Sequence, residues 1–312
     1  MNPAIELERL HKTYGRRTAV DSLNLSVTPG SVVGLIGPNG AGKTTTLRMI
    51  LDIIRPTSGE VRVLGDDPRT AGPALRRRIG FIPGELRLDG RMTGRRMLDF
   101  YSEVSGPVRP GAIDQLSSRL GLDLTRQVRT LSKGNKQKLG IVQAFMHDPE
   151  LLVLDEPTSG LDPLVQREFL QLVREARDRG QTVLLSSHVL SEIQQAADAV
   201  AVLSAGRIVA EGDVASLRLG AIRRVRAGFA ASDPATVRAE MERLPHVADV
   251  EVSVAGESVR LSATVEGDID PFIKTIARHR IVDLSVEEPD LEESVLRLYG
   301  DTPAAAKEAG HA

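Results

Sequence analysis

The sequence predicts an α/β fold built on a parallel sheet, followed by a small α+β domain, and three observations carry that expectation. Ser31-Val32-Val33-Gly34-Leu35-Ile36-Gly37, Leu151-Leu152-Val153-Leu154 and Thr182-Val183-Leu184-Leu185 are short, unbroken apolar runs that read as buried strands. A helical pattern over residues 163–179 separates the second run from the third. Strand, long crossover and strand imply parallel pairing with helices on the faces of the sheet. Beyond Gly212 the pattern changes to short strands and helices in a different order.

Taken along the chain, the first run leads through a glycine-rich turn into a helix over 43–51, and residues 93–124 read as mostly helical. Pro163 suits the first turn of the helix it opens. After Gly212, residues 223–229, 247–254 and 258–265 read as strands. One helix over 234–244 lies between the first two, and another over 271–278 follows the third. A strand over 282–286 and a closing helix over 291–298 complete a β-α-β-β-α-β order, that of a split βαβ domain. Residues 301–312 are small and polar and read as a frayed tail. The basic run Arg223-Arg224-Val225-Arg226 reads as a solvated linker edge, with contact to anionic lipid or a partner as the alternative. No internal repeat or low-complexity tract is present.

The chain has 312 residues, 41% hydrophobic and 26% charged, which is the composition of a soluble globular protein with room for a real core. Its formal net charge of -2 gives no bulk attraction for nucleic acid. The absence of cysteine excludes disulfides and thiolate metal sites and suits a reducing cytoplasm. His11, His147, His246, His279 and His311 are too scattered to imply a metal site. Met1-Asn2-Pro3-Ala4-Ile5-Glu6 lacks the basic and then apolar pattern of a signal peptide. No apolar run approaches the roughly 20 residues needed to cross a bilayer, so work at a membrane requires another chain to supply the span.

The chemistry is concentrated in a few places. Gly37-Pro38-Asn39-Gly40-Ala41-Gly42-Lys43-Thr44 matches the phosphate-binding pattern G-x-x-x-x-G-K-[ST] between a strand and a helix, with Thr45 continuing the run. The glycines let backbone N–H groups curl around phosphate oxygens, and the helix N-terminus adds a positive dipole end. Lys43 is placed to reach the β- and γ-phosphates, and the Thr44 hydroxyl to ligate Mg²⁺. Asp155-Glu156 ends the second apolar run, where strand-end carboxylates project into the crevice of a parallel sheet. Asp155 is placed to hold Mg²⁺ through water, and Glu156 to polarise an attacking water. His188 follows the third run and is placed to contact the γ-phosphate.

Together these parts resemble the ATP-binding domain of the ABC superfamily over roughly residues 4–215. Leu131-Ser132-Lys133-Gly134-Asn135 stands where that family has its signature loop, most commonly L-S-G-G-Q, with Lys133 and Asn135 departing from it. Ser159-Gly160-Leu161-Asp162 is similar to the loop through which two ATP sites communicate, His188 falls at the switch histidine, and Tyr14 falls where an aromatic ring stacks on adenine. A further departure is Gly84-Glu85, where the family usually has a metal-binding glutamine; Gly84 has no side chain to ligate anything, and Glu85 is the candidate substitute.

The resemblance implies a P-loop ATPase domain over 1–215, with a parallel-sheet core, an antiparallel β subdomain and a helical subdomain over about 86–148. An α+β accessory domain over 216–300 then resembles the appended domain of exporter-type members, including those linked to drug and antibiotic efflux; Pro289-Asp290-Leu291-Glu292-Glu293-Ser294-Val295-Leu296 is like their common ending. It further implies ATP and Mg²⁺ as ligands, and a homodimer in which Ser132 and Gly134 of one copy touch the ATP held by the other's P-loop. A separate multi-span permease is implied as partner, at the inner face of the cell membrane. Nucleic acid is not expected as a partner. Import, a soluble ABC ATPase acting on ribosomes or DNA, and a slow regulatory binder are the rival readings. The soluble-ATPase reading loses ground to a single P-loop and the lack of a sustained heptad array.

Overall fold

The unbroken apolar runs are the middle of a six-stranded sheet. The computed structural model describes residues 2–86, 88, 90–214, 222–230, 233–255 and 258–287, so the expected helix over 291–298 and the tail over 301–312 lie outside the described residues. The chain divides into two compact units between Gly212 and Asp213.

In the first unit β1 (Ile5–Tyr14), β2 (Arg17–Val27) and β4 (Ser58–Val63) form an antiparallel sheet in the order β2-β1-β4. The second sheet runs β5-β6-β7-β3-β8-β9, from β3 (Val32–Ile36), β5 (Ile79–Ile82), β6 (Leu151–Asp155), β7 (Thr182–Ser187), β8 (Ala199–Ser204) and β9 (Arg207–Asp213). β3 pairs in parallel with β7 and β8, and β6 in parallel with β5 and β7. Every residue of β3 and β6 is buried, which is why these strands are continuous rather than alternating in hydrophobicity.

One core joins the two sheets to α1 (Lys43–Ile50). Ile5, Leu7 and Leu10 of β1 and Val20, Leu23 and Leu25 of β2 pack in a single cluster with Leu47, Met49 and Ile50 of α1 and Val33, Leu35, Leu151 and Val153 of the parallel sheet. Each such side chain contributes roughly 1.5–3 kcal/mol by leaving water. The base of the P-loop helix is thereby fixed between two sheets.

The middle of the unit holds α2 (Pro68–Arg76), α3 (Gly94–Val104), α4 (Ala112–Arg119) and α5 (Lys133–Phe145), then α6 (Pro163–Asp178) and α7 (Leu190–Ala196). Caps define where they start. Ser132 Oγ accepts from the Asn135 amide at the head of α5, and Asp162 Oδ1 accepts from the Leu164 and Val165 amides, both at 3.1 Å, at the head of α6. Among the described residues no helix is long and apolar enough to cross a membrane.

In the second unit β10 (Ile222–Ala230), α8 (Pro234–Glu242), β11 (Val247–Ala255), β12 (Ser258–Glu266), α9 (Asp270–Ile276) and β13 (Arg280–Glu287) follow the β-α-β-β-α-β order. The sheet is antiparallel in the order β11-β12-β10-β13. Val225, Phe229, Val259, Leu261 and Val265 of its strands pack in one core with Val237 and Met241 of α8 and Phe272 and Ile276 of α9. This corrects the linker-edge reading of Arg223-Arg224-Val225-Arg226. The run lies inside β10, flanked by β12 and β13, with Val225 fully buried while Arg224 and Arg226 are exposed. A period of two, not a linker, sets that stretch.

Candidate functional site

The register of the parallel sheet sets the site. Asp155 lies opposite Ser186, and Ser187 opposite Ile36, so the C-terminal ends of β6, β7 and β3 finish side by side. The next residues of each strand, Glu156, His188 and Gly37, are therefore delivered to one edge, where parallel α/β sheets bind ligands.

The turn from β3 into α1 requires glycine at two points. A Cβ at Gly37 would lie 2.2 Å from the Leu203 carbonyl oxygen, and one at Gly42, whose φ is +111°, would lie 2.6 Å from that of Ala19. The turn is thus pressed against β2 and β8, and the unpaired first-turn amides of α1 open onto a cleft of about 610 Å³. Pro38, Asn39, Gly40, Gly42, Lys43, Thr44 and Thr45 line it, as do Tyr14, Asp155 and Glu156. Gly37 and Ala41 are buried beneath the lining.

Lys43 is 6% exposed and folded back on its own loop, its Nζ donating to the Gly37 carbonyl at 2.6 Å and standing 3.5 Å from Glu156 Oε1. Asp155 is buried, with Oδ1 accepting from Ser186 Oγ at 2.7 Å. Ser186 Oγ also accepts from the Glu156 amide at 3.0 Å, holding that residue in a left-handed conformation, φ +49°. Glu156 Oε2 meets His188 Nδ1 in a close hydrogen bond, so this carboxylate sits between an ammonium and an imidazole. Tyr14 is half exposed at the end of β1, with Lys12 Nζ 5.0 Å from its ring centre.

Ser132 and Gly134 are not brought to the cleft. Their turn packs on the loop after β6: Lys133 Nζ donates to Ser159 Oγ at 3.2 Å, Gln137 Nε2 to the Pro157 carbonyl at 2.8 Å, and a Cβ at Gly134 would stand 2.7 Å from the Gly160 oxygen.

Gly84 and Glu85 also line the cleft. A Cβ at Gly84 would lie 2.9 Å from Asp155 Oδ2, so Asp155 occupies the space that a side chain at 84 needs.

Sequence reasoning missed Arg17, Arg48 and Ser186. Arg17 and Arg48 line the cleft, and Arg17 pairs with Tyr14 across the β1–β2 turn, a proximity that a hairpin reading of Tyr14-Gly15-Arg16-Arg17 signals. Ser186 carried no signal, because its role depends on the pairing of β6 with β7.

A phosphate cradle at a helix head, an acidic strand end and an exposed aromatic ring define a P-loop nucleotide-binding domain. Residues 20–159 match the ABC transporter family. Among similar proteins, the bacitracin transport ATP-binding protein BcrA of Bacillus licheniformis is 40% identical over 214 residues, 68% of this chain and 70% of that protein. The daunorubicin/doxorubicin resistance ATP-binding protein DrrA of Streptomyces peucetius is 37% identical over 276 residues, 86% of this chain and 78% of that protein. A solved ATP-binding subunit of an ABC transporter matches with a TM-score of 0.64 at 30% identity, over 69% of this chain and 92% of that one. The chain belongs to the ABC transporter family, as an ATP-binding, ATP-hydrolysing subunit.

Proposed function

We propose that this chain is the motor of an exporter, hydrolysing ATP as a homodimer at the cytoplasmic face of the cell membrane and driving a separate multi-span permease. The observation that carries the dimer is the separation of Ser132 and Gly134 from the cleft: a second, two-fold-related copy supplies them to the open side of the bound ATP. The export direction rests on the relatives named for bacitracin transport and daunorubicin/doxorubicin resistance. The accessory domain over 216–300 is read with it, as an appendage of the ATPase domain over 1–215.

In this reading Tyr14 stacks on adenine, and the backbone of 37–45 with Lys43 holds the phosphates. Glu156 takes the proton of the attacking water as its oxygen bonds to the γ-phosphorus and the β–γ bridging P–O bond breaks, while His188 contacts the γ-phosphate. The donor set fits Mg²⁺, which prefers oxygen ligands and needs few from protein. The Thr44 hydroxyl and the Asp155 carboxylate, preset by Ser186, would hold it. When bound, it neutralises phosphate charge. Glu85 is the carboxylate nearest in sequence to the bare Gly84 position, and it lines the same cleft. Glu85→Ala is expected to weaken Mg²⁺ binding to the ATP complex, read by calorimetry, and to raise the Mg²⁺ needed for half-maximal turnover. Unchanged titrations remove Glu85 from the metal site.

The proposal as a whole is tested by purifying the tagged chain from gently solubilised native membranes. Near-stoichiometric recovery of a multi-span membrane protein is the expected outcome. Recovery in the soluble fraction alone, with ribosomal proteins or nucleic acid, overturns it.

A further inference from the structure

Glu192 lies in the first turn of α7 and is 6% exposed, and among the described residues no ion pair is made with it. A carboxylate removed from water is stabilised by the donors around it. Two serve the same oxygen: Thr158 Oγ1 donates to Glu192 Oε2 at 2.8 Å and Ser187 Oγ at 2.9 Å. Both hydroxyl residues are buried. They belong to different parts of the site. Ser187 ends β7 beside His188, and its Oγ also accepts from the Val189 amide at 2.9 Å, so both neighbours of His188 are tied to Glu192. Thr158 belongs to the loop after β6. The Ser159 amide there donates back to the Glu156 carbonyl at 3.2 Å, and the loop meets Lys133 and Gly134.

We propose that Glu192 is a positioning residue for hydrolysis. By clamping Thr158 and Ser187 on one oxygen, it locks the turn bearing His188 to the loop that touches the 132–134 turn. A displacement of that turn is then carried to the Glu156–His188 pair by a residue that touches no nucleotide. A charged group here adds nothing to packing that an apolar one would not; what it adds is a shared acceptor for two loops distant in sequence. The inference rests on the hydrolytic roles given above to Glu156 and His188.

The test is steady-state ATPase activity of full-length Glu192→Ala, Glu192→Gln and Thr158→Val, with ATP affinity measured separately by calorimetry. Glu192→Ala is expected to lower kcat on the order of 10- to 100-fold at unchanged ATP affinity, the cost of a misplaced reacting group. Glu192→Gln keeps an oxygen able to accept from both hydroxyls and retains most of the turnover. Thr158→Val falls between them, and adding it to Glu192→Ala lowers kcat no further, since Thr158 acts only through its hydrogen bond to Glu192.

Wild-type kcat in a folded Glu192→Ala protein, with only Tm lowered, overturns the proposal, as does an additive loss in the double variant. If Glu192→Ala fails to fold, Thr158→Val decides alone, and wild-type kcat in that variant overturns it. Glu156→Gln assayed alongside separates the two ideas. Its inactivity beside unimpaired Glu192 and Thr158 variants removes only the clamp. Full turnover in Glu156→Gln removes the hydrolytic reading and the clamp with it.

Discussion

Lys43→Ala is expected to abolish ATP turnover, with kcat at least on the order of 10²- to 10³-fold down, the range for losing one preorganised charged donor at a reacting centre. The surroundings of Lys43 show what its loss removes. The Lys43 ammonium is buried at the mouth of α1 and held by the Gly37 carbonyl 2.6 Å away, a contact that phosphate oxygens can replace without moving the backbone. It also stands 3.5 Å from Glu156 Oε1, so truncation leaves a partly buried carboxylate facing the triphosphate with its nearest cation removed. Repulsion then acts on both binding and hydrolysis. The core beneath α1 does not depend on Nζ, so the variant is expected to fold with the native circular dichroism spectrum. ATPase activity at the wild-type rate in that folded variant sinks the assignment of the phosphate site.

Much of this site was legible because its signals are local. Gly37 to Thr44 is a contiguous pattern whose glycines answer to contacts with the Leu203 and Ala19 carbonyls, and Asp155-Glu156 and His188 follow apolar runs that are strands. What stayed hidden depends on pairing. Strand order β6-β7-β3, which brings those three motifs together, is not written in any one of them. Ser186 and Glu192 act across strands and loops and look in sequence like ordinary polar residues.

Irregular backbone hides elements too. In β1, Ile5 and Leu7 alternate, but Arg9 has φ +46° and the register shifts before Leu10, so the period of two breaks inside the strand. Over Arg223-Arg224-Val225-Arg226 the strand itself was legible, in the alternation that Val225, Ala227 and Phe229 complete; its place between β12 and β13, rather than at a linker edge, was not. A strand with one face on helices and the other open carries such charges without cost to its core.

Glu156→Gln is expected to stop turnover, by on the order of 10²- to 10⁴-fold for a lost general base, while trapping the chain as an ATP-bound dimer. Gln preserves shape and its amide still reaches His188, so the geometry set by Ser186 and the left-handed Glu156 backbone is retained. What changes is charge. Glu156 competes with phosphate for Lys43 and repels the γ-phosphate; neutralising it removes both effects, so ATP binds at least as tightly as before. The closed state then forms and has no route out, because the step that separates the γ-phosphate is blocked. Sedimentation at saturating ATP reads the outcome directly. A dimer with Glu156→Gln and a monomer with Lys43→Ala place dimer closure after phosphate binding and before hydrolysis. A Glu156→Gln protein that stays monomeric in saturating ATP counts against the sandwich, because bound ATP would then fail to draw in the second copy that supplies Ser132 and Gly134.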